Sequence, residues 1–289
     1  MRSGITGWRA LAAVVTATLA LGAVAVAPVT AITNGTLDNG DHPYVGLLTV
    51  HASDGYYKWR CSGTLVSPTV FITAGHCTDP SGDHPAAYAV VYFEQGPIIP
   101  DTAFDIANRS CFGISGYPCG GGYHGSLYDH PQFDTNAFFL HDLGVVVLDG
   151  AGYNPGSFGA LPEEDSLDAL HAGRATTFTS VGYGLQAAFP DAAAWKDVSD
   201  RQRMVAHPWL HQINTPFVGD FALLLSNNAA AGGTCFGDSG GPNFVGDTNV
   251  LAAVTSFGMN DTCGGTGGVY RIDKADDLDW LSDEFGVAP

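Results

Sequence analysis

T-C-F-G-D-S-G-G-P, residues 234–242, sets one hydroxyl, Ser239, between Asp238 and two glycines, with Gly237 and Cys235 just before it. Packing gives no reason to surround a serine with residues that lack side chains, but chemistry does. A serine hydroxyl is a poor nucleophile near neutral pH. It needs a base within hydrogen-bond reach, a third group that fixes the tautomer of that base, and donors for the negative oxygen that forms on an attacked carbonyl. Backbone N–H groups are good donors when no side chain intrudes. Gly237 and Ser239 are therefore candidate oxyanion donors, while Gly240 and Gly241 let a substrate chain come close.

The same letters satisfy G-x-S-x-G, the elbow of α/β-hydrolases, in which the histidine follows the serine. No histidine occurs from residue 240 to 289, so that reading fails on chain order. Upstream, T-A-G-H-C at 73–77 follows an apolar run at 69–72 and offers His76 as the base. H-D-L-G-V-V-V-L at 141–148 puts Asp142 at the mouth of a strongly apolar strand, where an orienting acid can be buried. Asp129 and Asp134 are the weaker alternatives.

The 289-residue chain is 45% hydrophobic and only 14% charged, with 38 glycines, a mix that suits a β-rich, loop-rich globular protein. Short runs at 44–50, 61–73, 87–93, 143–148, 175–181, 203–212, 250–257 and 268–272 are separated by Gly, Pro, Asn or Asp. They predict strands of antiparallel sheets or barrels. One helix is expected at 273–285, where Leu278, Leu281 and Phe285 fall at helical spacing. Residues 94–136 show little periodicity and read as a long surface excursion, pinned by a local Cys111–Cys119 bridge unless these two pair elsewhere.

At the N-terminus, Arg2 and Arg9 precede an uncharged apolar run at 11–27, followed by small residues. This pattern reads as a secretory signal peptide, and a retained membrane anchor is the competing reading. V-T-A at 29–31 places the cut before Ile32, and a cut after Ala25 also fits. Without residues 1–31 the formal charge is 9 − 29 = −20, which repels phosphates and argues against nucleic acid as a partner. Export together with six cysteines suggests three disulfides, and no C-x-x-C points to zinc or redox chemistry. His124, His130 and His141 lie near one another in sequence, as do His207 and His211, but Pro208 spoils a helical pair and no metal is expected. Asn34, Asn108 and Asn260 open glycosylation sequons, which matter only in a host that secretes through an endoplasmic reticulum.

The three boxes, in the order His76, Asp142, Ser239, resemble those of the chymotrypsin/trypsin family of secreted serine proteases, and the likeness runs from Ile32 to Phe285. C-S-G-T-L-V-S-P-T-V-F-I-T-A-G-H-C at 61–77 resembles the family's histidine strand pair. V-G-Y-G at 181–184 resembles its Gly-Trp-Gly turn, with Tyr183 in place of Trp. S-F-G at 256–258 resembles the segment that pairs with substrate, and G-V-Y at 268–270 its ending. The resemblance implies an all-β fold of two antiparallel Greek-key β-barrels with a C-terminal helix. The peptidase domain would be 32–289, with barrels at about 45–150 and about 170–272 and the helix at about 273–285. Residues 1–31 would be the signal peptide, with or without a very short propeptide.

The resemblance also implies roles. His76, Asp142 and Ser239 would be the catalytic residues, Gly237 and Ser239 the oxyanion hole, and Ser256 a hydrogen-bond partner of Asp142. I-T-N-G at 32–35 resembles the family's mature N-terminus, so the freed amino group of Ile32 would latch onto Asp238. No Lys or Arg precedes Ile32, so the cut itself would have to come from leader removal. Bridges Cys61–Cys77 and Cys235–Cys263 are implied, while Cys111–Cys119 has no family counterpart. Gly233, six before the serine, would be the pocket base, with Ser256, Gly258 and Gly268 along it. A neutral, open pocket of that kind favours cleavage after bulky apolar or aromatic residues, with Asp261 the one nearby acid that would draw basic groups. The implied partners are protein or peptide substrates and a proteinaceous inhibitor. No cofactor is expected, nor any nucleic acid or membrane contact after signal removal. The protein would be a secreted monomer. Two rivals share the motif: a protease-like binding protein that no longer cuts, and an esterase of the same fold.

Overall fold

The computed structural model describes residues 32–188 and 197–289; the expected signal peptide at 1–31 lies outside them. Six strands close the first barrel: β1 (Val45–Ala52), β2 (Tyr57–Leu65), β3 (Val70–Thr73), β4 (Ala86–Tyr92), β5 (Tyr123–Asp129) and β6 (Gly144–Leu148). Their order is β1-β2-β3-β6-β5-β4, with β4 closing against β1. Six more close the second: β7 (Gly173–Gly182), β8 (Trp209–Ile213), β9 (Ala222–Asn227), β10 (Pro242–Val245), β11 (Leu251–Gly258) and β12 (Gly265–Arg271). Their order, β7-β8-β9-β12-β11-β10 with β10 closing against β7, repeats the first, so each barrel is a Greek key. Two helices complete the frame, the single turn α1 (Gly75–Thr78) and the C-terminal α2 (Ala275–Phe285). Among the described residues no helix is long and apolar enough to cross a membrane.

The strands follow the pattern of burial. Every residue of β1 and β3 is buried, and β6 reads as an uninterrupted apolar run because it is covered on both sides. One apolar cluster joins the two barrels: Leu48, Leu65, Phe71, Ile72 and Val145 of the first pack with Val181, Phe244, Leu251 and Tyr270 of the second, and Leu278 and Leu281 of α2 cap it. Helix α2 has Asp276 and Asp277 in its first turn and ends on Gly286 at φ 67°, a charge arrangement and a left-handed stop that suit a helix.

The structure corrects the expected element list in several places, beginning with the run at 61–73, which is the end of β2 and all of β3 parted by a turn at 66–69. Part of the predicted excursion at 94–136 is strand β5, which is essential to barrel closure. Its sequence hides this because only Gly125 is fully buried, and a Cβ there would come within 2.7 Å of Val146 Cγ1. The run at 203–212 is two strands, Met204–Ala206 and β8, divided at His207-Pro208 because proline cannot donate to a ladder. Strands β9 and β10 were not predicted at all.

Strand register is what prepares the site. In the β3–β6 ladder Thr73 stands opposite Gly144, so the chain leaving β3 toward His76 runs beside the chain entering β6 from Asp142. The barrels are also tied by a buried cation. Arg203 donates to Asp38 Oδ2 at 2.8 Å, to the carbonyls of Val45 (3.2 Å) and Phe93 (2.9 Å), and to the Tyr183 hydroxyl at 3.2 Å. His42 hydrogen-bonds the other oxygen of Asp38, whose carboxyl is held below its usual range by these donors although burial pushes the other way. Removing one partner of such a pair leaves the other charge buried and unpaired. Arg203→Met is therefore expected to destabilise the protein by about 3–5 kcal/mol in equilibrium denaturation, and Asp38→Asn by a similar amount, with the double substitution costing clearly less than the sum.

Candidate active site

His76 lies on α1, directly after β3, and the disulfide from Cys77 to Cys61 ties that turn to β2. The edge of its ring meets Phe138, with centroids 6.1 Å apart. Asp142 has no exposed surface. It accepts from the His76 backbone N–H at 2.8 Å, from His76 Nδ1 at 2.9 Å and from Ser256 Oγ at 2.5 Å. A carboxylate can only accept, so Nδ1 carries the proton and Nε2 keeps its lone pair. Burial draws the His76 pKa down, but the charge and hydrogen bond of Asp142 outweigh it and leave the imidazole above its ordinary value.

Ser239 is stitched to both barrels. Its carbonyl accepts from Ser62 N at 2.8 Å, and the next residue, Gly240, donates its N–H to Thr255 O at 2.7 Å. Gly240 has φ 75°, and a Cβ there would lie 2.0 Å from Thr73 Oγ1 and 2.6 Å from Ala74 N, so only glycine lets this loop close against the strand that leads to His76. Ser239 Oγ itself makes no hydrogen bond among the described residues; free sites commonly hold that contact loose until substrate binds.

The amides of the loop divide cleanly. Those of Asp238, Gly240 and Gly241 are committed to Cys235 O, Thr255 O and Asp238 O. Those of Gly237 and Ser239 donate to nothing among the described residues, as an oxyanion hole requires.

Asp238 is fully buried, with Oδ1 accepting from Gly184 N at 2.8 Å and Oδ2 from Cys235 N at 2.9 Å. Burial dominates these bonds and pushes its pKa up to about 7. Ile32, its expected latch partner, is also fully buried, with its side chain against Met204 and Ala206. The next residue docks on the second barrel, where Thr33 O accepts from Gly233 N at 3.1 Å.

Beside Ser239 opens a cavity of about 260 Å³, lined in part by Phe138, Asn227, Phe236, Ser256, Gly258 and Gly267. Two expected lining residues are displaced from it. Gly233 is covered by Asn227, whose Cγ would stand 2.3 Å from a Cβ at 233, so Asn227 takes its place beside the cavity. Gly268 is covered by Phe257, because a register shift between Thr255 and Phe257 sets that ring across from it and leaves Gly267 on the cavity side. The Asn227 amide is fully engaged, donating to Thr234 O at 2.7 Å and accepting from Thr33 Oγ1 at 2.8 Å. Asp261 is exposed and lies outside the lining. Sequence reading missed Asn227 because its contact with Thr33 spans 194 positions.

Residues 122–280 match the model of the trypsin family. The chain belongs to that family. It is 27% identical to brachyurin of Leptuca pugilator over 79% of this chain and 89% of that protein. It is 22% identical to a collagenase of Hypoderma lineatum over 88% of each, and 23% identical to serine protease 1 of Drosophila melanogaster over 89% of this chain and 86% of that one. Among solved structures, HL collagenase superposes with a TM-score of 0.63 at 21% identity, covering 89% of this chain and all of that one. A mutant of human heparin binding protein superposes with a TM-score of 0.58 at 17% identity, covering 88% of this chain and 98% of that one. The two-barrel architecture is thus the fold of these proteins, and as a trypsin-family member the chain is a serine endopeptidase.

In this endopeptidase all six cysteines are paired, Cys61–Cys77, Cys111–Cys119 and Cys235–Cys263. Among the described residues, one further group gathers metal-type ligands: His130, His141 and Asp277. His130 Nδ1 accepts from Gln132 N, which puts the ring proton on Nε2, 3.8 Å from the Asp277 carboxylate.

The burial of Asp238 has a measurable consequence. Its folded pKa is raised, so between about pH 4 and 7 the folded state holds a proton that the unfolded chain has released, and rising pH favours unfolding. For protein with residues 1–31 attached, chemical denaturation is expected to show stability falling by up to about 1.4 kcal/mol per pH unit across that window. Asp238→Asn should flatten the slope.

Proposed function

We propose that Ser239 is the nucleophile of a secreted endopeptidase that cuts peptide bonds through an acyl-enzyme. Support comes chiefly from the hydrogen-bond chain Ser256–Asp142–His76, which fixes the tautomer of His76 and leaves Nε2 unprotonated, while Ser256 of that chain and Ser239 line one cavity. Ser239 Oγ attacks the carbonyl carbon while His76 Nε2 takes its proton, and the carbonyl oxygen becomes an anion held by the free amides of Gly237 and Ser239. The imidazolium, stabilised by Asp142, returns the proton to the leaving amine as the C–N bond breaks. Water then hydrolyses the ester by the same path.

The latch is part of the reading. Removal of residues 1–31 frees the Ile32 amino group, whose positive charge pairs with Asp238 in a site where the carboxylate otherwise has only two backbone donors. Pairing would draw the Asp238 pKa back down and rigidify the oxyanion loop. The preferred residue before the scissile bond is bulky and apolar or aromatic. Among the described residues no charged side chain lines the cavity, and both ends of the Asn227 amide are already bonded.

Four outcomes are expected. A phosphonate inhibitor should label processed protein stoichiometrically at Ser239, as read by mass spectrometry; processed, folded protein that stays unlabelled would favour the non-cutting alternative. Asp142→Asn should lower kcat by a factor on the order of 10⁴, because the imidazole is then presented in the wrong tautomer. The acid limb of kcat/KM should lie above the ordinary imidazole pKa, with activity falling as pH drops through it, since His76 is held above that value. Finally, Gly233→Asp should yield little active enzyme while Asn227 is present, because a Cβ at 233 meets Asn227 at 2.3 Å. Gly233→Asp combined with Asn227→Ala makes room for the carboxylate and should cleave after Lys or Arg in a peptide library.

A further inference from the structure

The cavity that takes the residue before the cut lies on one side of Ser239, and the exposed ring of Phe236 forms part of its wall. Beyond that ring the surface falls into an open depression bordered by Arg60, Leu185, Ser199, Phe236 and Gly237. A carbonyl held by the Gly237 amide has its acyl residue in the cavity, so its leaving segment is directed over this depression.

Among the described residues Arg60 is the only charged one on that border. Its guanidinium sits above the oxyanion loop, with Nε 3.1 Å and Nη2 3.6 Å from where a Cβ on Gly237 would stand. It is held there by a hydrogen bond from Nη2 to Ser199 Oγ at 2.9 Å, and the Tyr117 hydroxyl lies beside it. The chain carries 29 acidic side chains against 11 basic ones, yet Arg60 pairs with no carboxylate among the described residues. Arg203 and Arg271, by contrast, are buried and ion-paired. Arg109 and Arg201 flank Arg60. Arg109 is fixed by a bond from Nη1 to Lys58 O at 2.8 Å, and Arg201 by a bond from Nε to Ile98 O at 2.7 Å with its guanidinium over the Tyr117 ring. Neither of them pairs with a carboxylate among the described residues. All three lie within electrostatic range of the Tyr57 phenol. An otherwise negative protein thus gathers three arginines around Tyr57, and Arg60 acts on the buried Asp238 carboxylate through space without an ion pair to it.

We propose that Arg60 reads a carboxylate on the leaving-group side of the scissile bond, so that the enzyme prefers substrates carrying an acidic side chain, or the chain end, within two residues after the cut. This rests on Ser239 being the nucleophile. The guanidinium keeps donors free after bonding Ser199, and its planar fork matches a carboxylate better than an ammonium would. The surrounding negative field repels acidic peptides wherever their charge lies, so the signature is positional and independent of net charge.

The test uses isomeric peptides of equal charge, with one glutamate placed either two residues after the cut or at the distant upstream end. The processed wild-type protein should cleave the first with a kcat/KM roughly tenfold higher, the size expected of one charge-assisted hydrogen bond that is partly exposed. In Arg60→Gln that ratio should fall toward one, and Arg60→Lys should restore part of it. Both substrates meet the same enzyme, so the ratio is insensitive to how much of a variant folds. Amidating the peptide C-terminus separates a side-chain carboxylate from a chain end as the group recognised.

A second measurement needs no variant. An acyl-enzyme made from an ester substrate is offered dipeptide amines in competition with water. The amine nitrogen bonds the acyl carbon, the Ser239 ester C–O bond breaks, and His76 passes the proton to Ser239 Oγ. Glutamate-bearing amines should be captured several-fold better than glutamine-bearing ones. A ratio of one in the wild-type protein, or a ratio that survives in Arg60→Gln, overturns the proposal while hydrolysis and labelling at Ser239 leave the nucleophile reading intact. Absence of both hydrolysis and labelling overturns the two together.

Discussion

Three donors from the two barrels converge on the fully buried carboxylate of Asp142: the backbone N–H and Nδ1 of His76 from the turn after β3, and the hydroxyl of Ser256 from β11. A buried carboxylate is costly unless its lone pairs are satisfied, and here they are satisfied only when the second barrel is docked on the first. Folding and site assembly are therefore one event. The same bonds leave Nε2 of His76 unprotonated and keep the imidazole more basic than it would be in water, which is the condition a proton shuttle must meet. The backbone at Ser239 is held by bonds that again reach both barrels, to Ser62 and, through Gly240, to Thr255.

The loop from 232 to 241 works by restriction. Gly232, Gly237 and Gly240 all have positive φ, which spares the loop the strain a side chain would bring and aims its amides inward. Each amide from 238 to 241 apart from Ser239 has a carbonyl to meet, while those of Gly237 and Ser239 have no partner among the described residues. The segment after Ile32 is built into the same region. Thr33 bonds both Gly233 and the Asn227 amide, so the start of the domain helps set the side of the substrate pocket.

Arg203 and Arg60 show how one residue type serves two ends. Arg203 is buried with nearly all its donors used, and it joins the N-terminal segment, the first barrel and Tyr183 of the second. Arg60 lies half-buried at the cleft, bonded to Ser199 and ion-paired with no carboxylate among the described residues, with buried Asp238 acting on it only through space. The first arrangement stabilises, because every donor and the charge are compensated. The second leaves charge available for something that arrives from outside.

Much of this was legible in the chain itself. Boxes such as T-A-G-H-C, H-D-L and G-D-S-G-G are local, and the backbone freedom of glycine, the apolar strand behind Asp142 and the order of the three along the chain are properties of neighbouring letters. Periodicity likewise gave most strands and α2, while β5 escaped because a strand whose buried position is a glycine carries almost no apolar signal. Sequence alone thus determined the family, the barrel architecture and which residues are candidates for chemistry. Only the tertiary structure decided that Asn227 and not Gly233 borders the pocket, that Phe257 covers Gly268, and that Arg60 stands over the oxyanion loop beside Ser199. These contacts join residues as far apart as 139 and 194 positions or depend on a one-residue shift between strands. Register and side-chain packing across such distances are fixed by closure of the whole barrel, which no local pattern encodes.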